Sequence, residues 1–465
     1  MVKPVFAVVG HPNKGKSSIV STLTRQDAVR ISEISGTTTE AQQFNLTIDG
    51  VSHYSLVDTP GFQRPRQVLD WLRNHAPNAS ERRQIVQRFV REQQTEPSSR
   101  FHDETELLAP ILDGAGIIYV VDGSLPYSAE FEAEMTILQW TGQPRMALIN
   151  PIGNESHIEE WQSALSQYFS VVRVFDPMTA DTRKQLTILT AFMELHEPWR
   201  QQIEQTIEAL QSYSASLVEK GAMVVVEHLQ EMFSHVSEVK VPAQFAQSAL
   251  QDKLKYDYQQ QLRIIESAMR RQLQALFAHT LMQTETQTLT VEAPDLFDHD
   301  HWYLYGLDRQ KIVALAASVG AAAGAVIDVG VGGSSLMAGA LAGGLFSGVA
   351  SVAATWKPER LKIHGVPLAG KTLTAGPIKE LTFAYVLLGR SIDFLVMIIQ
   401  RTHADRRIAQ IQSHNMNERL QSLNKVEQVK LTALLQKAHK GLSEKDQLAW
   451  RDWIVTLTKN EKANG

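Results

Sequence analysis

Short apolar runs alternate with longer amphipathic stretches over the first 195 residues of the chain. Alternation of this kind predicts an α/β domain, in which a doubly wound and mostly parallel sheet carries helices on both faces. The apolar runs place the strands near residues 4–9, 44–48, 53–58, 116–121, 146–150 and 171–175. We therefore assign residues 1–195 to an α/β domain.

Residues 196–465 follow a different pattern, which predicts a mainly α-helical domain. Between about 196 and 285, apolar residues recur at helical spacing with mostly Gln, Glu and Arg between them. Gly221 and Pro242 punctuate these helices. The pattern favours an ordinary helical bundle, and the alternative is a stalk that self-associates.

Several further elements are predicted toward the C-terminus. They are short strand patterns at 288–291 and 361–374, an apolar helix at 381–399 and polar amphipathic helix at 404–460. Arg390 and Asp393 interrupt the apolar helix, and because they are three residues apart we expect them to pair on its surface. We expect Trp450 and Trp453 to make core contacts.

A Gly- and Ala-rich segment from 312 to 356 contains a single charged residue, Asp328. Its glycines recur four residues apart, at 320 and 324, at 339 and 343, and at 344 and 348. Such spacing gives a helix a smooth face against which a second helix packs closely. The polar break beginning at Asp328 predicts a hairpin of two helices.

The two arms of this hairpin differ in length. The first, 313–327, is shorter than the ~20 residues that cross a bilayer, whereas the second, 336–356, is long enough. Two roles therefore stay open. The hairpin either inserts into a membrane or associates shallowly with it, or it packs closely inside a soluble domain.

A polar insertion at about residues 62–107 interrupts the α/β pattern and is rich in arginine. Its arginines include Arg64, Arg66, Arg73, Arg82, Arg83, Arg88 and Arg91. The pattern favours a solvated helical face. The alternative is an arginine finger or a surface on which a partner docks.

Residues 10–17 read GHPNKGKS directly after the first apolar run. A strand, a loop with glycines at both ends and a helix together form a phosphate-binding loop, whose backbone N–H groups point at a phosphate. Lys16 would bring a positive charge to the β- and γ-phosphates, and Ser17 a hydroxyl to Mg²⁺. The motif predicts a nucleoside triphosphate with Mg²⁺ as the ligand.

Two further motifs follow in the order that nucleotide hydrolysis requires. The predicted strand at 53–58 leads into the sequence DTPG, where Asp58 can hold Mg²⁺ through water and the Gly61 N–H can meet the γ-phosphate. The segment SGTTTE at 35–40 offers a Thr hydroxyl as a second Mg²⁺ ligand that senses the γ-phosphate. Three motifs in this order indicate a nucleotide-dependent switch.

The motifs at 10–17, 36–38 and 58–61 resemble those of the Era/TrmE/EngA group of bacterial GTPases, over about residues 1–195. The resemblance implies a P-loop GTPase that binds GTP or GDP with Mg²⁺ and hydrolyses GTP. It implies nucleotide contacts from Asn13, Lys14, Gly15, Lys16, Ser17, Ser18, Thr38, Asp58, Gly61 and Asn150. It also implies that the Mg²⁺ ligands are Ser17, Thr38 and, through water, Asp58.

By the same resemblance, Asn13 is the candidate K⁺ ligand, and the residues that assist hydrolysis are Lys16, Thr38 and Gly61. Phe62 stands where many GTPases place a Gln that orients the attacking water. Members of the group often have a hydrophobic residue there and hydrolyse GTP slowly unless another group completes the site. We expect slow intrinsic hydrolysis here.

The base-recognition motif departs from the family pattern. The predicted strand at 146–150 leads into the sequence NPIG, where the family has Asn-Lys-x-Asp. Asn150 remains, but the Asp that accepts hydrogen bonds from guanine is missing, and a site without its buried acceptor loses discrimination. The candidate substitutes are Asn154, Glu155 and Asp176. The resemblance favours GTP, and relaxed base choice is the alternative.

Composition narrows the setting of this chemistry. The net charge is −5, so no general attraction to nucleic acid is implied and no DNA partner is expected. The absence of cysteine excludes disulfides and thiolate zinc sites. Because the phosphate-loop strand begins within the first residues, we expect no cleaved signal peptide and a cytoplasmic location.

Residues 298–301, DHDH, are predicted to be a solvated turn, with metal binding as the alternative.

The whole sequence predicts a P-loop GTPase head on a helical C-terminal half of unknown role. The leading hypothesis is a switch, in which hydrolysis alters either the exposure of the 312–356 hairpin at the inner face of the membrane or the docking of an unknown protein partner. One alternative is a dynamin-like remodeller that forms homo-oligomers and inserts the hairpin. Another is an RNA- or ribosome-associated assembly GTPase, although the chain lacks a KH-like loop in a basic setting.

Overall fold

The computed structural model describes residues 3–26, 40–76, 78–96, 99–241, 247–279, 353–355, 362–363, 366–367, 371–378, 381–405, 419 and 423–464. These residues belong to two compact units. The first unit comprises residues 1–216, 278–286 and 400–407, and the second comprises 217–277, 287–399 and 408–465. The predicted boundary at 195/196 stays a prediction.

The first unit alternates strands and helices, as the apolar pattern predicts. Its strands are β1 (Val5–Val9), β2 (Gln42–Ile48), β3 (Val51–Asp58), β4 (Gly116–Asp122), β5 (Arg145–Asn150) and β6 (Val171–Val174). Its helices are α1 (Lys16–Thr24), α2 (Pro65–His75), α3 (Arg82–Gln94), α4 (His102–Leu112), α5 (Phe131–Trp140), α6 (Ile158–Leu165) and α7 (Thr182–Leu195). Helix α8 (Arg200–Ser234) begins in the first unit and ends in the second.

The six strands form one sheet in the order β2-β3-β1-β4-β5-β6. Every neighbouring pair is parallel except β2 and β3, which are antiparallel and joined by a turn in which Asp49 and Gly50 both have positive φ. Parallel strands bring their carboxyl ends to one edge of a sheet, which is where ligands bind in open α/β folds. The predicted fold class of this unit is confirmed.

Both faces of the sheet are covered, because side chains alternate along each strand. On β1, Phe6 and Val8 point into one buried cluster and Ala7 and Val9 into another. Phe6 stacks on Phe192 of α7, with ring centroids 4.0 Å apart. Each strand is therefore fixed in register by two separate cores.

The insertion predicted at 62–107 folds as α2, α3 and α4 with a 3-10 turn before α3. All seven arginines named from the sequence are exposed, which both the predicted solvated face and the alternative of a docking surface require. Several of them make surface contacts; for example, Arg88 pairs with Glu92 at 2.6 Å and Arg82 lies over the ring of Trp140.

The second unit is mostly helical. Besides the end of α8, its described elements are β7 (Ser237–Val241), α9 (Gln247–Leu276), β8 (Ala353–Thr355), β9 (Lys362–Ile363), β10 (Val366–Pro367), β11 (Lys371–Ala375), α10 (Leu381–Gln400), α11 (Lys425–Ala438) and α12 (Glu444–Asn464). An antiparallel sheet has the order β7-β11-β8, and β9 pairs with β10. Trp450 is fully buried and Trp453 packs against the same core, as predicted.

The prediction of helices over residues 196–285 is wrong at two points. Gly221 lies inside α8 and does not end the helix. An added Cβ there would stand 2.9 Å from Leu395 Cδ1, so the glycine allows close packing. Between α8 and α9 the chain forms β7, whose backbone hydrogen bonds are met by β11. The strand that pairs with β7 lies more than a hundred residues away in the sequence, so the local spacing of apolar residues does not predict β7.

The predicted hairpin at 312–356 lies outside the described residues except for 353–355. Those three residues form β8, so the predicted helix through Trp356 is wrong at that point. The strand predicted at 288–291 and the turn predicted at 298–301 also lie outside the described residues.

One described helix is long and apolar enough to cross a membrane, the 383–400 part of α10, with a mean hydropathy of 1.6. Within this unit 83% of that stretch is buried. The predicted surface pair of Arg390 and Asp393 is wrong, because both residues are buried. Arg390 pairs with Glu266 of α9 at 3.0 Å, and Asp393 pairs with Arg419.

These ion pairs predict a large stability effect in the second unit. Glu266 is 7% exposed and also accepts from Arg270 at 2.8 Å. We expect Glu266→Ala to lower the free energy of unfolding by about 3–5 kcal/mol, since it takes the carboxylate away from the buried guanidinium group of Arg390. Urea unfolding followed by Trp fluorescence measures the change.

The matched control is Asp452→Ala on α12. Asp452 pairs with Arg451 at 2.6 Å, but its side chain is 67% exposed, so the expected loss is below about 1 kcal/mol. Equal losses in the two variants would contradict a buried ionic cluster.

Candidate functional site

The phosphate loop lies between β1 and α1. Its backbone has positive φ angles at three positions, which glycine and asparagine adopt more readily than other residues. Gly10 has φ +142°, and an added Cβ would stand 2.3 Å from the Val120 carbonyl oxygen on β4. Gly15 has φ +81°, and Asn13 has φ +63°. These conformations let consecutive N–H groups face a phosphate at the start of α1.

Lys16 is the first residue of α1, and only 8% of it is exposed. Its Nζ donates to the carbonyl oxygens of Gly10 and His11, each at 3.2 Å. Burial lowers the pKa of Lys16, and the negative charges of Asp58 and Glu134 raise it in part. The ammonium group is thus held inside the loop that is predicted to surround a phosphate.

Ser17 and Asp58 meet at the carboxyl end of β3, where the Ser17 hydroxyl donates to Asp58 Oδ2 at 2.6 Å. Asp58 is 4% exposed. Thr59, next in the chain, donates to the Val8 carbonyl at 2.8 Å and so ties this segment to β1. Hydroxyl and carboxylate oxygens are the ligands that Mg²⁺ prefers, so this pair fits the predicted metal.

Gly61 packs directly on the phosphate loop, since an added Cβ would stand 2.6 Å from Pro12 Cδ. Phe62 is completely buried in the core beneath α2. A side chain in that position cannot orient a water molecule at the site. The buried aromatic ring agrees with the slow hydrolysis expected from the sequence.

Asn150, at the end of β5, donates from Nδ2 to the Lys14 carbonyl at 3.1 Å and so braces the phosphate loop. An added Cβ at Gly15 would stand 2.3 Å from the same Nδ2. Lys14 in turn pairs with Asp122, at the end of β4, with 3.3 Å between Nζ and Oδ2. Sequence reasoning missed Asp122, although an acid that ends a central strand is the signal for it.

The structure describes all three candidate substitutes for the missing base acceptor. Asn154 and Glu155 are exposed, and Asn154 Oδ1 accepts from the Ser156 N–H. Asp176 follows β6, next to β5, and accepts from the Met178 N–H and the Thr179 hydroxyl, both at 2.8 Å. These contacts do not select one of them as the acceptor.

A second contact missed by sequence reasoning holds the phosphate loop from the side. His11 Nδ1 lies 3.1 Å from Glu134 Oε1 on α5, and Tyr119 donates to Glu134 Oε2 at 2.9 Å. Burial and Glu134 raise the pKa of Tyr119 well above its usual value, so the hydroxyl stays a donor. A carboxylate on the apolar face of α5, in line with Leu138, was the available signal.

The remaining predicted site residues are placed as follows. Ser18 lies in the first turn of α1, and Thr38 lies outside the described residues. Among the described residues there is no group of three or more His, Cys, Asp or Glu that could hold a metal. The predicted Mg²⁺ ligands include hydroxyl groups, so this finding does not bear on them.

Comparisons with known proteins agree with this geometry. Residues 5–150 match a family model described as 50S ribosome-binding GTPase. GTPase Der of Listeria welshimeri is 27% identical over 218 residues, which cover 39% of this chain and 47% of the relative. GTPase Der of Agathobacter rectalis is 36% identical over 88 residues, 18% of this chain and 20% of the relative. The chain thus spans about half the length, or less, of these curated relatives.

Two solved structures of Era are also similar. One is Era in complex with MgGDPNP and nucleotides of 16S ribosomal RNA, with a TM-score of 0.30 and 15% identity over 60% of this chain and 90% of that chain. The other is an Aquifex aeolicus Era variant bound to GDP and AlF4⁻, with a TM-score of 0.26, 14% identity and the same coverage.

A second family model matches further along the chain. Residues 162–453 match a model described as a domain of unknown function, DUF3482, which is more than half of the sequence. The protein therefore belongs to the DUF3482 family and carries, before that region, a P-loop GTPase domain that matches the 50S ribosome-binding GTPase model.

Proposed function

We propose that this protein hydrolyses GTP to GDP and phosphate and acts as a nucleotide-dependent switch for its helical C-terminal half. The observation that carries the proposal is the cluster of Lys16, Ser17 and Asp58 at the carboxyl ends of β1 and β3. A buried ammonium, a hydroxyl and a carboxylate at a glycine-flanked helix start form the apparatus of phosphoryl transfer.

The residues act through charge and position. The loop N–H groups and Lys16 bind the phosphates and stabilise the charge that develops on them. Mg²⁺, when bound, neutralises charge on the β- and γ-phosphates. Ser17 would hold the ion directly, together with Thr38, and Asp58 through water. Asn13, which is exposed in the loop, is the proposed K⁺ ligand.

The proposed stimulus is an unknown protein partner. Phe62 is buried, so the site has no water-orienting side chain at that position, and a group from elsewhere would complete it. The protein is proposed to be cytoplasmic, with peripheral membrane contact through the Gly- and Ala-rich segment at 312–356. Nucleotide-dependent homo-oligomers that remodel membranes are the dynamin-like variant of this proposal.

A second candidate function is ribosome or RNA association. It is favoured by the family model that matches residues 5–150, whose description is 50S ribosome-binding GTPase. The Era neighbour was crystallised with ribosomal RNA, which supports the same candidate. Sedimentation with ribosomes in the presence of GTP or GDP would separate it from the membrane proposal.

The first prediction concerns the nucleotide. Purified protein with Mg²⁺ is expected to bind GTP and GDP and to prefer them to ATP. Lys16→Ala should weaken GTP affinity about a hundredfold, because it removes a buried charge that faces the phosphates. Equilibrium titration with GTP, ATP and XTP measures both. Equal affinity for the three would make the protein a general nucleoside triphosphatase, and no binding would refute the proposal.

The second prediction concerns Asn150. Asn150→Ala removes the partly buried hydrogen bond to the Lys14 carbonyl, which braces the phosphate loop, so GDP affinity should fall about tenfold. Asn154→Ala, in an exposed loop, is the matched control and should change the affinity less than about twofold. If Asn154→Ala has the larger effect, the base site lies in that loop and Asn150 is a structural residue.

The third prediction concerns the membrane. The protein is expected to float with vesicles of phosphatidylethanolamine and phosphatidylglycerol, and Phe346→Asp should abolish flotation, because a charge in lipid costs about 3 kcal/mol. Val174→Asp changes an exposed apolar residue of the first unit and should have no effect. Recovery of the wild-type protein in the vesicle-free fraction would exclude the membrane proposal.

A further inference from the structure

Helix α4, the last helix of the arginine-rich insertion, carries two carboxylates that bind backbone next to the proposed nucleotide site. Glu104 lies in its first turn and Glu106 two residues later. Both project toward segments that come much earlier in the chain. Neither residue belongs to a nucleotide-binding motif.

Glu104 holds the backbone that follows Gly61. Its Oε1 accepts from the N–H groups of Gln63, at 3.0 Å, and Arg64, at 2.5 Å. The Arg64 side chain also holds this segment, through a separate hydrogen bond from Nη1 to the Arg100 carbonyl at 2.9 Å. Hydrogen bonds to a carboxylate are roughly twice as strong as neutral ones, and burial strengthens them further.

The carboxylate of Glu104 is completely buried, and it is tolerated for a physical reason. It lies in the first turn of α4 and binds the N–H groups just before α2, so two helix N-termini stabilise its charge. Its second oxygen, Oε2, is buried without a hydrogen-bond partner among the described residues. The position of the group is therefore fixed by the two backbone donors.

The clamped segment is continuous with the phosphate loop. Phe62, between Gly61 and Gln63, is locked in the core, and Gly61 touches Pro12 with no room for a side chain. A displacement of Gln63 would be transmitted to the Gly61 N–H, since the intervening residue cannot rotate freely. Glu104 therefore holds the chain on the C-terminal side of Phe62, while Pro12 is packed against Gly61 on the other side.

Glu106 binds the other flank of the site. Its Oε2 accepts from the Ala41 N–H at 3.3 Å, just before β2. In the sequence Ala41 follows Thr38 by three residues. One helix thus holds backbone at Ala41 and at Gln63, which in sequence lie close to the two motifs that are predicted to contact the γ-phosphate.

We propose that Glu104 and Glu106 are positioning residues for GTP hydrolysis, which fix the backbone after Gly61 and before β2 relative to the phosphate loop. The proposal rests on the GTPase function proposed above. It gives the insertion a task in the reaction, because a partner that displaces α4 would move both segments at once.

The test compares catalysis with binding. Glu104→Ala is expected to lower kcat for GTP hydrolysis about tenfold or more while GDP affinity changes less than about threefold, because the misplaced Gly61 N–H serves the γ-phosphate and GDP has none. Glu104→Gln keeps an acceptor oxygen and should retain kcat within about threefold. Glu106→Ala, with its longer bond, should show a smaller loss in kcat.

Asp103→Ala is the matched control on the same turn of α4. It removes the same charge from the helix N-terminus, so a general effect on the helix would appear in both variants. Equal kcat in Glu104→Ala and Asp103→Ala would overturn the proposal. So would a parallel fall in kcat and GDP affinity, which would mark a purely structural role.

Hydrogen exchange separates failure of this inference from failure of the proposed function. Amides of Gln63 and Arg64 should exchange slowly in the wild-type protein and about tenfold faster or more in Glu104→Ala, whatever the catalytic rate. Fast exchange of these amides in the wild-type protein would overturn the proposal that Glu104 holds them. A wild-type protein that exchanges slowly but does not hydrolyse GTP would refute the GTPase proposal alone.

Discussion

A buried ammonium group is the constraint on which the first unit depends. Lys16 is almost without solvent, so its charge must be met inside the protein. Two loop carbonyls receive it directly, and the charges of Asp58 and Glu134 favour its protonated form. Carboxylates on β3 and α5 thus act on the charge of one buried group. The tight glycine contacts of the loop keep those groups at the required distance.

Much of this arrangement could be predicted from the sequence. The strands of the sheet follow apolar runs that are short and evenly separated by helices, and such runs have few alternative structures. The loop from Gly10 to Ser17 is recognisable because its conformation demands particular residues in a fixed order. These signals are local, and they are read without knowing which segments meet in space.

The contacts that escaped prediction are those made between distant segments. Glu104 and Glu134 each lie on the apolar face of a helix, which marks them as unusual but does not name their partners. Strand β7 exists because β11 pairs with it, and no local pattern announces that pairing. Arg390 and Asp393 looked like a surface pair, since hydropathy and spacing do not reveal that α9 supplies a carboxylate. The residue that replaces the missing base acceptor is also not identified by the sequence, because local patterns do not show which side chains meet at the base.

The burial of Phe62 has a consequence for how the proposed hydrolysis site can change. In GTPases that carry a Gln at this position, catalytic speed can be adjusted by one substitution. Here the position belongs to the hydrophobic core, and an amide placed there would lie among apolar side chains without hydrogen-bond partners. A faster variant cannot arise by that route. Selection for speed would have to act on other residues, or on a second molecule that lends the missing group.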